Sequence, residues 1–455
     1  MKIAAVLLGP AGVGLIGLFQ QVVSMTSTLF GLGLRQSGTR QIANAQAANA
    51  VQEVANTRRA LFWGTLFLAI AAGTVFLFIR EVLVEHVATN TVPEHELGWL
   101  AIGVILSVGA SSQEALLNGL REVRAIALLT VISGAFSAAI AALALFLMRE
   151  QAIVIFVIAS PLASFVLGHW FVSRLPPIEI PSRPLLEVCE EFRKMVVLGS
   201  SIMLASLVTL AGHLAIRTFI QRELGTESLG LFTAAWLISQ YSITFLYSAI
   251  TMDYYPRLTA VISDKGLACR IINEQTQIGL LFAAPLFLGI VALAPYALWL
   301  LYAEEFMEAS ALLRWFILGD VLKVVAQPMT VALTALSAGR SYFVLHLAGM
   351  IVYLVFALVL MQVYGISGAG QAYLVMYVFH LGAACFLLRR RLNFRFSSEN
   401  LYTPGLLVTL CAGVSLLPAW LPVSVPLVGS IITFIVLGYS AARLYKWNDL
   451  RGEKF

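Results

Sequence analysis

Few ionisable residues stand inside the apolar stretches of this chain, and those few fall in patterns that chemistry can use. The segment GDVLK puts Asp320 and Lys323 at i, i+3 on one helical face, with Gln327 four residues further along it. Such a pair is either a structural ion pair that fixes helix packing, or a site where Lys323 attracts a phosphate and Asp320 takes up a coupling proton. Ser206, Thr209, His213 and Arg217 form a second stripe. His213 there is a proton relay or a packed histidine, and Arg217 is close enough to the end of its apolar run to snorkel. Glu114 shares a helical face with Ser107, Ser111 and Asn118. It is an ion-coupling candidate or a partner for Arg121 or Arg124. Arg314 sits near an outer boundary, where snorkelling is the simpler role. Hydroxyl and amide stripes recur as Gln20, Ser24 and Thr28; as Thr233, Gln240, Thr244, Tyr247 and Thr251; and as Tyr373, Tyr377 and His380. Singly, such residues commonly just pack helices together. Jointly, they suit a polar cavity that accepts hydroxylated groups.

Other chemistry lacks its residues. There is no Walker motif, no HExxH, no metal-ligand spacing and no nucleophile–base constellation, so no catalytic residue, metal or cofactor is expected. The four cysteines, Cys189, Cys269, Cys385 and Cys411, fall in no CxxC and read as unpaired thiols.

The elements that must position these residues are membrane helices. The 455 residues are 60% hydrophobic and 12% charged, with a mean hydropathy of +0.88. Soluble domains hold about 45–50% and about 25%. That excludes a water-soluble globule, a disordered chain and a disulfide scaffold. Crossing the hydrocarbon core takes about 20 apolar residues. Thirteen windows qualify: 15–34, 60–79, 99–118, 126–148, 152–173, 196–221, 229–252, 278–301, 311–336, 341–363, 367–388, 405–421 and 426–443. The expected fold class is therefore an all-α polytopic membrane protein. Residues 1–8 are apolar but too short to span, and read as the end of a first helix that is mostly missing.

Net charge is +5, which in a soluble protein would suggest nucleic acid. Here the basic residues flank apolar runs and set orientation instead. With Arg35, Arg40, Arg58 and Arg59 placed in the cytoplasm, inner loops and tail hold 22 of the 29 Lys and Arg, and outer loops hold three, Arg80, Arg149 and Arg222. The C-terminus is then cytoplasmic. Every outer loop is short, too short to fold independently. That argues against a membrane enzyme of glycan assembly, such as a polymerase or ligase, which usually builds its site on large loops.

Leu8-Gly9 with Val13-Gly14-Leu15 recurs as Leu224-Gly225 with Leu229-Gly230-Leu231, 216 residues on. A weaker echo pairs Gly119–Arg121 with Gly339-Arg340. Both pairs lie six spans apart, an even number, which gives a parallel repeat of two six-helix lobes around a central cavity. The expected organisation is an N-lobe over 1–175, a C-lobe over 176–392 and an appended helix pair with a tail over 393–455.

Near the start, LGPAGVGLIGLFQQ resembles the hairpin of Wzx-type polysaccharide flippases, within the MATE-like (MOP) superfamily. WFILGDVLKVVAQP, SGAGQAYLVMYVFHLGAACFLLRRR and DYYPRLT resemble the same family, in particular its members that carry O-antigen or enterobacterial common antigen lipid III. The resemblance runs from Leu8 to about Arg391. It implies two six-helix lobes around a largely cationic cavity, and transport of an undecaprenyl-diphosphate-linked oligosaccharide across the bacterial inner membrane, coupled to an ion gradient. It also implies a polysaccharide polymerase and a chain-length regulator as partners. Arg217, Asp320 and Lys323 match family positions in type, and Gln371 and Tyr373 lie in the matching GQAY. Substrate-binding candidates are thus Arg217, Lys323, Gln327, Gln20, Gln371 and Tyr373, and ion-coupling candidates are Asp320, Glu114 and His213. Family members begin with a full first helix, which this chain enters near its end: its start lies upstream, or this copy lacks a wall. A MATE-type drug or cation antiporter is the alternative transporter. Its anionic cavity fits less well here, where cationic residues inside spans outnumber acidic ones three to two.

Overall fold

The computed structural model describes residues 1–86, 97–175, 185–250, 254–336, 338–420 and 425–452. Thr251 of the Thr233–Gln240–Thr244 stripe and Asp253 of DYYPRLT lie outside them, as does most of the longest outer loop.

Among the described residues the secondary structure is helical. Helices α1 (Lys2–Gly31), α2 (Leu34–Ala47), α3 (Val51–His86), α4 (Leu100–Gly119), α5 (Val123–Met148) and α6 (Ile153–Ser173) come first. They are followed by α7 (Leu185–Ile250), α8 (Tyr254–Val261), α9 (Lys265–Ala292), α10 (Ala294–Leu301) and α11 (Ser310–Ala335). Last come α12 (Gly339–Tyr364), α13 (Ser367–Leu392), α14 (Ser398–Trp420) and α15 (Val425–Gly452). Eleven helices among the described residues are long and apolar enough to cross a membrane.

The chain divides into two compact units: a first of Ile3–Glu227, and a second of Ser228–Phe455 that also includes Met1–Lys2. This division falls within the second copy of the repeated LG motif, later in the chain than the 175/176 boundary expected from sequence. The helix pair expected as an appendage belongs to the second unit, where α14 and α15 both pack on α9.

The LG repeat has a backbone cause. Gly9 breaks α1 at φ 64°, ψ −168°, and Gly225 breaks α7 at φ 87°, ψ 168°. Both sit in a region that essentially only glycine occupies. Each therefore interrupts what is otherwise one continuous helix, and the span expected at 15–34 begins soon after Gly9.

The span expected at 278–301 is displaced. Asp264 caps α9, its Oδ1 accepting from the Gly266 and Leu267 amides at 2.9 and 3.0 Å, which satisfies orphan donors of the first turn. The helix then runs only to Ala292, and Pro295 in the first turn of α10 starts a separate short helix. The amphipathic stretch before 196 is continuous with α7. On it the Lys194 ammonium bonds Glu191 at 2.8 Å, which holds its pKa above the usual lysine value.

In the first unit α4 is central: α2, α3 and α6 pack on it, and α5 packs on α6. In the second, α11 packs extensively on α13 and also on α9 and α14, while α12 packs on α13. Helix α11 is the most buried span among the described residues. Lipid is as apolar as leucine, so these contacts are held by close packing and by polar pairs.

Substituting Gly225 by Ala should cost about 1–3 kcal/mol through backbone strain alone, because nothing lies within 4 Å of the added Cβ. A lowered unfolding temperature of the purified variant checks this.

Candidate functional site

Asp320 lies on the most buried face of α11 with 0% exposure. A carboxylate in that setting must be neutralised or fully hydrogen-bonded. Ser239 Oγ donates to Oδ2 at 2.6 Å and Tyr373 OH donates to Oδ1 at 2.9 Å. The Lys323 ammonium donates to the same Tyr373 hydroxyl at 3.3 Å and to Gln240 Oε1 at 3.5 Å. Tyr373 thus stands between the two charges, giving its proton to one and accepting from the other. Lys323 also lies 5.7 Å from the centre of the Tyr377 ring, within cation–π range.

Three helices build this network. Asp320 and Lys323 come from α11, Ser239 and Gln240 from the second half of α7, and Tyr373 and Tyr377 from α13. Gly319 makes room for the tyrosine: a Cβ there would lie 2.5 Å from Tyr373 Cδ1. The tyrosine ring is then fixed by edge-on contacts with Trp236 at 5.5 Å and Phe316 at 5.3 Å. These rings wall the carboxylate off from lipid and strengthen every electrostatic contact inside.

A second polar site lies wholly in the first unit. It is a cavity of about 420 Å³ on α1, α2, α4, α6 and α7. Gln20, Ser24 and Thr28 line it from α1, Ser107 and Ser111 from α4, and Ser206 from α7. The hydroxyls of Ser107 and Ser111 donate to the backbone oxygens of Gly103 and Val108, each at 2.7 Å. That leaves their lone pairs free to accept from a ligand. Ser27 also lines the cavity, and its buried Oγ has no hydrogen-bond partner among the described residues. Arg35 lies at the rim, bonded to Glu114 at 3.0 Å. A cavity lined by many hydroxyls, with an ion pair at its rim, suits a hydroxylated ligand.

The sequence-derived candidates divide as follows. The stripes Gln20–Ser24–Thr28 and Ser107–Ser111 meet in the first-unit cavity, with Ser206. His213 and the buried Arg217 lie further along α7 and do not line it. Glu114 pairs with Arg35 rather than with Arg121 or Arg124. The α1–α2 turn at Leu32 and Gly33 brings that arginine to the end of α4, which helical spacing alone does not reveal. Asp320, Lys323 and Tyr373 meet as one cluster. Gln327 is one turn away, beside a void of about 20 Å³ shared with Tyr247, Tyr254 and Gln275. Gln371 precedes Tyr373 by two residues, so it points to another side of α13. Ser239, Trp236 and Arg35 are absent from the sequence-derived candidates. Ser239 had a signal, since it adjoins Gln240 of the stripe, but the stripe was phased on Gln240.

Removing Asp320 as Asp320→Ala strands Ser239, Tyr373 and Lys323 and should destabilise the protein by about 3–5 kcal/mol. Tyr373→Phe keeps the packing and deletes the bridge, so it should cost about 1–3 kcal/mol. Unfolding of the purified variants in detergent measures both.

A family model described as "Polysaccharide biosynthesis protein" matches residues 3–311, more than half of the chain. Proteins named "Lipid III flippase", from Escherichia coli (strain K12) and from Shigella flexneri, are each 24% identical over 408 residues, covering 86% of this chain and 94% of theirs. Among solved structures, an inward-facing multidrug resistance MATE family transporter of the MOP superfamily superposes with a TM-score of 0.73 at 14% identity, covering 86% of this chain and 92% of that one. The lipid II flippase MurJ superposes with a TM-score of 0.66 at 12% identity, covering 95% and 97%. The fold is thus MATE-like, and the chain is a multi-pass membrane protein that belongs to the polysaccharide biosynthesis protein family.

Proposed function

We propose that this chain is a flippase. It moves an undecaprenyl-diphosphate-linked oligosaccharide from the cytoplasmic to the periplasmic leaflet of a bacterial inner membrane, for assembly of a surface polysaccharide such as O-antigen or enterobacterial common antigen. The observation that carries this reading is the hydroxyl-lined cavity with Arg35 at its rim. The obstacle to crossing is the oligosaccharide: each sugar hydroxyl taken into hydrocarbon without a partner costs several kcal/mol, about 4–8 on an alkane scale. A row of serine and threonine hydroxyls with free lone pairs offsets that cost group by group. The lipid tail gains nothing by leaving the bilayer and stays there.

Arg217 and Lys323 offset the charge of the diphosphate. Asp320 is the coupling group. In its charged form it holds Lys323 through Tyr373, and a proton on Asp320 loosens that hold and frees the ammonium for phosphate. Coupling then follows from differential affinity, because a ligand shifts a two-state equilibrium only by as much as it prefers one state. The C-terminus is cytoplasmic, following the basic loops. The polymerase and chain-length regulator act on the delivered glycan. The likeness to MATE transporters is one of fold alone, while the relatives that align over most of the chain are named flippases, so export of drugs or cations is less supported.

Depleting the protein in its own host should cause undecaprenyl-diphosphate oligosaccharide to accumulate, as read by lipid mass spectrometry. Normal surface glycan with raised drug sensitivity would favour the exporter instead. Lys323→Ala should lower glycan export at unchanged protein level, and full export in that variant would remove Lys323 from the mechanism.

A further inference from the structure

We infer that His346 and His380 form the main route by which a proton passes between Asp320 and the end of α12 and α13 where Arg340 and Arg389–Arg391 lie. Those basic residues mark that end as cytoplasmic in the proposed orientation. The inference rests on the reading of Asp320 as the proton-binding group. A carboxylate with 0% exposure, behind the Trp236 and Phe316 rings that hold Tyr373, does not meet water directly. Its proton has to travel through side chains.

A row of imidazole and phenol rings leads from the carboxylate to within one turn of that end. Tyr373 OH donates to Asp320 at 2.9 Å. Between ring centres, Tyr373 lies 4.8 Å from Tyr377, and Tyr377 lies 5.8 Å from His380. His380 lies 5.1 Å from His346, and His346 lies 4.4 Å from Tyr342. Tyr342 stands close to the start of α12 at Gly339. Two stripes at helical spacing make the row. Helix α13 supplies Tyr373, Tyr377 and His380 at i, i+4 and i+7, and α12 supplies Tyr342 and His346 at i and i+4. Gly349 lets the two helices close where the stripes meet, since a Cβ there would lie 3.3 Å from His380 Nδ1.

Packing alone does not require two histidines here. A buried polar side chain kept for structure is normally hydrogen-bonded. His346 Nε2 is buried and has no hydrogen-bond partner among the described residues. The group that faces its ring from α13 is another imidazole, His380. Around His380 the titratable groups are His346 from α12, Tyr377 from α13 and Lys323 from α11. An imidazole takes a proton on one nitrogen and gives one from the other. Its χ2 torsion is broad, so each ring can turn between its neighbours. To release its proton, the Asp320 carboxyl gives it to the Tyr373 oxygen as Tyr373 hands its own on to Tyr377. Tyr377 protonates His380, His380 gives the proton on its other nitrogen to His346, and His346 delivers it past Tyr342 to water. One proton leaves the carboxyl and one reaches water, and every ring between them ends neutral.

The test uses the full chain in nanodiscs and follows the infrared band of the protonated carboxyl after a laser-triggered release of protons. Asp320→Asn identifies the band by removing it. His346→Phe keeps a ring in the contact and should fold. It should slow the rise of the band by roughly a hundredfold, the contribution of a positioned acid–base group, with the final amplitude unchanged. His380→Gln should do the same from the other helix, so the outcome does not depend on one variant. In His346→Ala, added imidazole should restore the rate. Benzene, which fills the same gap without carrying a proton, should not. A band that survives in Asp320→Asn would overturn both this route and the coupling role of Asp320. A band lost in Asp320→Asn, yet rising at the wild-type rate in His346→Phe and His380→Gln, would overturn the route alone. So would a slowed rise that imidazole does not reverse, or that benzene reverses equally.

Discussion

A carboxylate with no access to water governs the second unit. In hydrocarbon, helices gain nothing from burying leucine against leucine rather than against lipid, so polar contacts and close packing decide how they meet. Asp320, fully buried on α11, has to find donors. It finds Ser239 on α7 and Tyr373 on α13, and those two bonds set the register of three helices at once. Gly319 belongs to the same constraint, because any side chain there would push Tyr373 away from the carboxylate. The Trp236, Phe316 and Tyr373 rings keep the site dry. Lys323 is tied in through the shared Tyr373 hydroxyl. A single phenol therefore links a buried acid to a half-buried base.

The first unit solves a different problem. It holds serine, threonine and glutamine side chains around an open cavity, with an arginine at the rim. Hydroxyls that return their own proton to the helix backbone, as Ser107 and Ser111 do, present only acceptors. A sugar is rich in donors. One unit thus offers an acceptor-rich cavity, and the other an enclosed cluster of an acid and a base joined by a phenol.

Composition and apolar run length were enough to reveal a helical, polytopic membrane protein, because the bilayer permits few alternatives. The LG repeat was legible too, and Gly9 and Gly225 show why: both copies keep the residue that the same unusual backbone requires. Asp320, Lys323 and Tyr373 could be chosen from sequence because an ionisable residue in an apolar run advertises itself. Their partners could not. Ser239 is an ordinary hydroxyl whose importance comes from the rotation of α7 relative to α11, which no spacing within α7 encodes. The Glu114–Arg35 pair likewise depends on a turn between α1 and α2. The end of α9 at Ala292 was missed because Leu293 and the apolar start of α10 keep hydropathy high across a backbone break.

The most direct measurement compares stability and glycan export in the double variant Asp320→Leu, Lys323→Met. Removing both charges leaves no unpaired ion, and the remaining cost is that of the Ser239 and Tyr373 hydroxyls that lose their acceptor, about 1–3 kcal/mol each, so the protein should still fold. If the network exists for transport, export should be lost in this folded protein. Full export from it would show that the pair only packs helices, and would contradict the role assigned to Asp320 and Lys323.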